Sequence, residues 1–401
     1  MPELLIWARE TAGMSREVAA ARLGIGKTRR AAPHERLQQF EAGESEITDA
    51  LLAKMSKVYR RPLVAFYLPA PPRKGDRGVD FRSVPERTTQ DEPLVDALVR
   101  DVRARQSMIK SILLEEATPP EPIRFVGSIS QEDGLQHATA SLQHVTRFDL
   151  AEFRAQGTAE GAFALLRNKV EALGVFVLLI GDLGNHHSAL SVDAFRGFSL
   201  ADPLAPLIVI NDQDAKAAWS FTLLHELAHL AIGATGVSGR FAEGRLEQFC
   251  SDIASHMLLP APELLGFDVN PNTAVDEVSQ EIGGFAAQRL VSRSLVAYRL
   301  FRDARIHEAT WRTLVRRFQQ EWLENKEARR ERRKVENEKG GPSYYIVRRH
   351  RLGAHLLRFV AAALSEGTLS TTKAGKILGV KPLNVQPLLT GASLLVGQGE
   401  G

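Results

Sequence analysis

The stretch "SFTLLHELAHLAIG" (220–233) places two imidazoles and a carboxylate where they can act on one atom. On a helix, positions i and i+4 share a face, so His225 and His229 can offer ring nitrogens to a single metal ion. Glu226 sits one step round, within reach of a water beside that ion without being a ligand. Zinc lowers the pKa of such a water towards ~7, and a neighbouring carboxylate then takes its proton. The spacing predicts metal-assisted hydrolysis.

Zinc also needs a third protein ligand. A metzincin-type continuation requires glycine at 232 and histidine at 235, but the chain has Ile232 and Thr235, which excludes that class. A glutamate from a following helix gives a two-histidine, one-glutamate site with one position open for water. Glu247 is well placed, 18 residues beyond His229 after a glycine-containing loop and near a helix start. Glu243 and Asp252 compete, although Asp252 falls on a different face. His186 and His187 in "GDLGNHHSAL" read as loop bystanders, His256 as a packed or surface residue, and Cys250 as buried structure with no basic partner beside it in the sequence.

The elements that must position these residues can be read around them. "GVFVLLIG" (174–181) and "PLIVIND" (206–212) are β-rich runs, the second leading into the motif helix near Asp214–Trp219. "PLIVIND" alongside that helix offers an edge on which an extended substrate could add as a strand. Helical stretches occupy 92–116, 160–173 and 244–259, the last ending at Pro260, and 273–335 is almost wholly helical. Within it "VSRSLVAYRLF" (291–301) is patterned like a second helix–turn–helix but lacks base-reading residues, so it reads as scaffold. "PAPPRKGDRG" (69–78) is a linker, and "GGPS" (340–343) punctuates before a small helical unit.

Residues 1–68 read as short helices with tight turns. In "ARETAGMSREVAAARLGI", Gly13 ends one helix and Ser15 caps the next. A basic loop, "GKTRRAAP", carries Arg29 and Arg30 towards phosphates. In "HERLQQFEAGES" the side chains of Arg36, Gln38 and Gln39 can project to base edges while Leu37 and Phe40 pack inward. This order, with "FEAGE" and "YRRPLVAFYL", resembles the XRE (Cro-type) helix–turn–helix family. The resemblance implies double-stranded promoter or operator DNA as a partner and a homodimer on paired half-sites. The turn before the second helix is longer than that family's and rich in Arg and Ala.

Bulk properties agree. The 401 residues allow two or three domains, and 44% hydrophobic with 25% charged residues describe a soluble, core-forming chain. No apolar run approaches the ~18–20 residues that cross a bilayer. The start "MPELLIWARETAG" lacks a signal-peptide layout, and a single cysteine suits a reducing compartment, so a cytoplasmic protein with no membrane partner is expected. Net charge is only +3, but residues 1–74 carry thirteen Lys/Arg against eight Asp/Glu, or +5.

"RGFSLADPLAPLIVIND", "FTLLHELAHL" and "RLEQFCSDIASHMLLP" together resemble the ImmA/IrrE family of gluzincin-like metallopeptidases. In that family the helix after the motif runs Glu…Ala/Cys-Asn…Leu-Leu-Met-Pro, and its first Glu is the third zinc ligand. Matched on Pro260, that residue is Glu247, and Ser251 stands where the family has Asn. "DFRS" (80–83) and a Gly-Pro-Tyr-Tyr C-terminal unit, with Tyr344 and Tyr345, match long fused members.

The expected fold is α+β and mostly α-helical. It combines an N-terminal helix–turn–helix bundle (1–72), a linker and helical connector (73–150), and a zincin-like metallopeptidase core with a small β-sheet (151–270). A helical extension (271–338) and a small C-terminal helical unit (339–401) follow. The resemblance implies a Zn2+-dependent metallo-endopeptidase fused to a transcriptional regulator domain. Glu226 is then the catalytic base and His225, His229 and Glu247 the metal ligands. The substrate would be a regulatory protein, a repressor or toxin, in a stress, mobile-element or toxin–antitoxin setting. The alternative is a DNA-binding repressor or antitoxin whose peptidase fold is a partner-binding platform.

Overall fold

Apolar positions at helical spacing, broken by glycines and capped by hydroxyls, build four short N-terminal helices. They are α1 (Pro2–Glu10), α2 (Arg16–Leu23), α3 (Pro33–Ala42) and α4 (Asp49–Val58), followed by a 3-10 turn at Leu63–Tyr67. The side chains of Ser15 and Thr48 accept from the backbone N–H of Val18 and Leu51, capping α2 and α4. Leu5, Ala8, Ala20, Leu23, Leu37, Phe40 and Met55 close one small core. Within it the buried Glu41 carboxylate accepts from Arg9 at 2.5 Å and from Arg16 at 2.8 Å, so its charge is compensated.

In this computed structural model the described residues are 2–29, 31–72, 92–116, 118–184, 188–234, 236–238, 244–335 and 343–390. They divide into two units: Met1–Val102 with Asp182–Ala194, and Arg103–Gly181 with Phe195–Gly401. Helix α5 (Glu92–Glu115) runs through the boundary. None of their helices is long and apolar enough to cross a membrane. The "DFRS" stretch and most of the linker lie outside the described residues.

The second unit is α+β and mostly helical. Helices α6 (Leu135–Thr146), α7 (Leu150–Arg154) and α8 (Ala159–Glu171) precede strands β1 (Phe176–Leu179), β2 (Gly197–Leu200) and β3 (Leu207–Ile210). Next come α9 (Lys216–Ile232), β4 (Gly236–Ser238), α10 (Arg245–Leu258), α11 (Val275–Gln288), α12 (Arg293–Arg302) and α13 (Glu308–Val335). The last four helices are α14 (Tyr344–Leu352), α15 (Ala354–Ser365), α16 (Thr371–Leu378) and α17 (Val385–Thr390).

The strands form one sheet in the order β1-β3-β2-β4, with β1 parallel to β3 and the other pairs antiparallel. This corrects the expected edge role of "PLIVIND". As β3 it is hydrogen-bonded on both sides, and the outer strands are β1 and β4. All four β3 residues are buried, which explains their unbroken apolar run. The scaffold reading of "VSRSLVAYRLF" agrees with α12, where Leu295, Val296, Ala297, Arg299 and Leu300 are buried.

The C-terminal helices are fastened to the sheet by a buried pair on α8. Arg167 Nε donates to Glu171 Oε1 at 3.0 Å, and its remaining nitrogens reach the carbonyls of Val177 and His350. Glu171 Oε2 accepts from the His355 backbone N–H at 3.0 Å. Arg351 on α14 bridges to Asp212, in the loop that launches α9, at 2.6 Å.

Candidate metal centre

Helix α9 is rich in Ala and Leu and ends at Gly233, and almost its whole circumference is buried. Its polar residues therefore need a reason to be there, because an unpartnered buried polar group costs several kcal/mol. His225, Glu226 and His229 are 4%, 0% and 1% exposed. The i,i+4 spacing puts the two Nε2 atoms 3.1 Å apart.

Helix α10, packed along α9, brings in the third group from its first turn. Glu247 Oε2 lies 3.2 Å from His225 Nε2, and its Oε1 lies 3.3 Å from His229 Nε2. These three residues could hold a metal ion, since one ligand atom from each lies within 4.8 Å of the others. Glu243, the competing carboxylate, lies outside the described residues, as do His186 and His187. Asp252 faces away, accepting from Tyr298 Oη at 2.7 Å and from Arg302 at 2.7–2.8 Å. His256 belongs to the same α10–α12 contact, with Arg299 NH1 2.9 Å from its Nε2.

The electrostatics fit a site for a cation. Burial alone would raise the Glu247 pKa, but hydrogen bonds from His225 and His229 hold it well below the usual carboxylate range. Burial alone would lower His229, yet Cys250 and Glu247 carry it well above its ordinary value. Burial pushes the Cys250 thiol up, which keeps it protonated and disfavours a nucleophilic role.

Two neighbours were not visible in the motif. Strand β2 crosses α9 at Gly197, where a Cβ would lie 2.6 Å from Thr222 Cγ2 and 3.0 Å from Glu226 Oε1. Only glycine lets the strand approach the glutamate this closely. Ser251, one turn after Glu247, has its Oγ 3.2 Å from His225 Nδ1. No sequence signal could have found the first, because Gly197 and Ser199 weaken the strand pattern of "GFSL" itself. The second was signalled only by the departure from the Asn of the resembled family.

The residues expected to meet DNA fare differently. Arg29 is exposed in the nine-residue connection 24–32, and Arg30 lies outside the described residues. Leu37 and Phe40 pack inward, Gln38 is exposed and Gln39 partly buried. Arg36 NH1 donates to the Gly26 carbonyl at 2.8 Å and so ties the long connection to α3. Tyr344 is 53% exposed, and Tyr345 Oη donates to Asn384 Oδ1 at 3.3 Å.

Residues 177–301 match the family model Peptidase_M78, described as the IrrE N-terminal-like domain, which indicates a metallopeptidase. The match runs from within β1 to within α12 and includes the His225–His229–Glu247 cluster. No curated protein and no solved structure matches the chain.

Proposed function

We propose that this chain is a zinc-dependent metallo-endopeptidase of the ImmA/IrrE type, carrying an N-terminal DNA-binding unit and cleaving a regulatory protein such as a repressor or toxin. The observation that carries the enzymatic part is the cluster of His225 Nε2, His229 Nε2 and the Glu247 carboxylate: the two nitrogens are 3.1 Å apart, Oε2 lies 3.2 Å from the first and Oε1 3.3 Å from the second. Ligands at ~2.0–2.1 Å around a tetrahedral zinc are separated by about 3.3 Å, close to the spacing of the two imidazole nitrogens, and the donor types suit that ion. Two imidazoles and one carboxylate also leave a fourth position open, the pattern of catalytic rather than structural zinc.

When bound, zinc would polarise the scissile carbonyl and acidify a water molecule. His225, His229 and Glu247 would hold it. Glu226, sealed from bulk water, would take the proton of the attacking water and deliver it to the departing amine. The close passage of β2 at Gly197 fixes where its carboxylate can reach.

The DNA-binding part rests on the paired helices α2 and α3, on exposed Arg29 and Gln38, and on the +5 balance of residues 1–74.

Elemental analysis tests the metal. Purified protein should carry one zinc per chain, and His229→Ala should lose it. Equal zinc in both proteins would overturn the site. Co-expression with the products of its neighbouring genes, followed by mass mapping of fragments, tests the cleavage.

A further inference from the structure

We infer that Ser251 is a positioning residue for His225, holding the imidazole in the tautomer and orientation that aim Nε2 at the metal; this rests on the zinc reading above. Ser251 Oγ lies 3.2 Å from His225 Nδ1, on the side of the ring opposite the Glu247 contact. A histidine binds metal through an unprotonated nitrogen, so if Nε2 is the ligand, Nδ1 carries the proton and needs an acceptor. The hydroxyl oxygen of Ser251 accepts it.

The placement follows from helix geometry. Glu247 and Ser251 are i and i+4 on α10, so they share the face turned to α9. Glu247 meets Nε2 of His225, and Ser251, one turn along, meets Nδ1 of the same ring. The imidazole is gripped at both nitrogens by one helix. The rotation of that helix is set from behind. Asp252 accepts from Tyr298 Oη and from both Nε and NH2 of Arg302, at 2.7–2.8 Å. These three bonds pin α10 to α12 at the residue next to Ser251. Helix α12 thereby supports the centre through α10.

The test uses the full-length protein and two substitutions. Zinc affinity is measured by competition with a chromogenic chelator for wild type, Ser251→Ala and Ser251→Thr, beside the thermal midpoint of each metal-free protein. Losing a partner that orients a metal-bound histidine costs typically 10–100-fold in affinity. Ser251→Ala should weaken zinc by at least ~10-fold with an unchanged metal-free midpoint. Ser251→Thr, which keeps the hydroxyl, should restore most of the loss. Substituted cobalt should show a changed visible spectrum in Ser251→Ala only. Wild-type affinity in Ser251→Ala would overturn the inference while leaving the zinc site standing. A matching drop in the metal-free midpoint, unrescued by threonine, would reduce Ser251 to a packing residue. Wild type that binds no zinc at all would instead remove the underlying reading.

Discussion

Gly197 on β2 and Glu226 on α9 are placed so closely that a Cβ on the glycine would stand 3.0 Å from the carboxylate oxygen and 3.1 Å from Glu226 Cγ. The strand therefore forms one wall of the pocket that holds the glutamate. Gly197→Ala should push Glu226 aside while leaving the histidines and Glu247 in place. The expected result is unchanged zinc content with kcat lowered by ten- to a hundredfold, since a misplacement of about 1 Å costs rates of that order. Unaltered kcat would mean that the wall has no bearing on the reaction.

Glu226→Gln keeps size and hydrogen-bonding shape but removes the base. Zinc should remain at one per chain, and cleavage of the true partner should fall at least ~10²-fold. Cleavage at the wild-type rate would move the proton transfer to another group. A wild type that holds zinc but cuts nothing would favour the partner-platform alternative.

Arg167 and Glu171 are 6% and 2% exposed and bonded at 3.0 Å. Removing one member of a buried pair leaves the other charge without compensation, at a cost of about 3–5 kcal/mol. Glu171→Ala also strips the acceptor from the His355 N–H. Denaturant unfolding should show a loss of that size, and a change under ~1 kcal/mol would show that the C-terminal helices are held by apolar packing alone.

His355, its ring tilted against Phe176 with centroids 4.5 Å apart, has its pKa lowered from 6.5 to about 4, first by burial and then by Arg358. The folded state thus resists a proton that the unfolded chain accepts. The stability this neutral histidine permits is whole above pH 6.5 and is lost as pH falls from 6.5 towards 4. The penalty reaches about 2 kcal/mol at pH 5. His355→Phe should remove it. The difference in unfolding free energy between variant and wild type should therefore widen in favour of the variant between pH 7.5 and 5. A difference independent of pH would exclude His355 as the group responsible.

For the N-terminal unit, binding of promoter and scrambled duplexes by the full chain across a salt series separates two roles. Gln38→Ala should erase preference for the promoter, worth roughly 1–3 kcal/mol for a bidentate base contact. Arg29→Ala should weaken binding to both duplexes and flatten the salt slope. Arg36→Ala should act mainly on stability, because its guanidinium holds the Gly26 carbonyl. Equal affinity of wild type for both duplexes at every salt concentration would make the unit a protein-docking bundle.

What the sequence alone determined is what local geometry governs. Four residues along a helix return to the same face, so His225 and His229 had to share one. Leu37 and Phe40 had to turn inward on α3, Ser15 could cap only α2, and an apolar run such as 207–210 had to be buried. What the tertiary structure decided lies between segments distant in sequence. β3 became an inner strand because β2, whose "GFSL" carries little strand signal, pairs on the side where a substrate edge was expected. Arg36 was drawn to a carbonyl ten positions back by the fold of a long connection. Ser251 meets His225 across 26 positions, and Arg167 reaches the His350 carbonyl across 183. Hydrogen bonds of this kind depend on how helices are rotated against one another. That rotation is set by the packing of many side chains at once, which periodicity along one segment cannot specify.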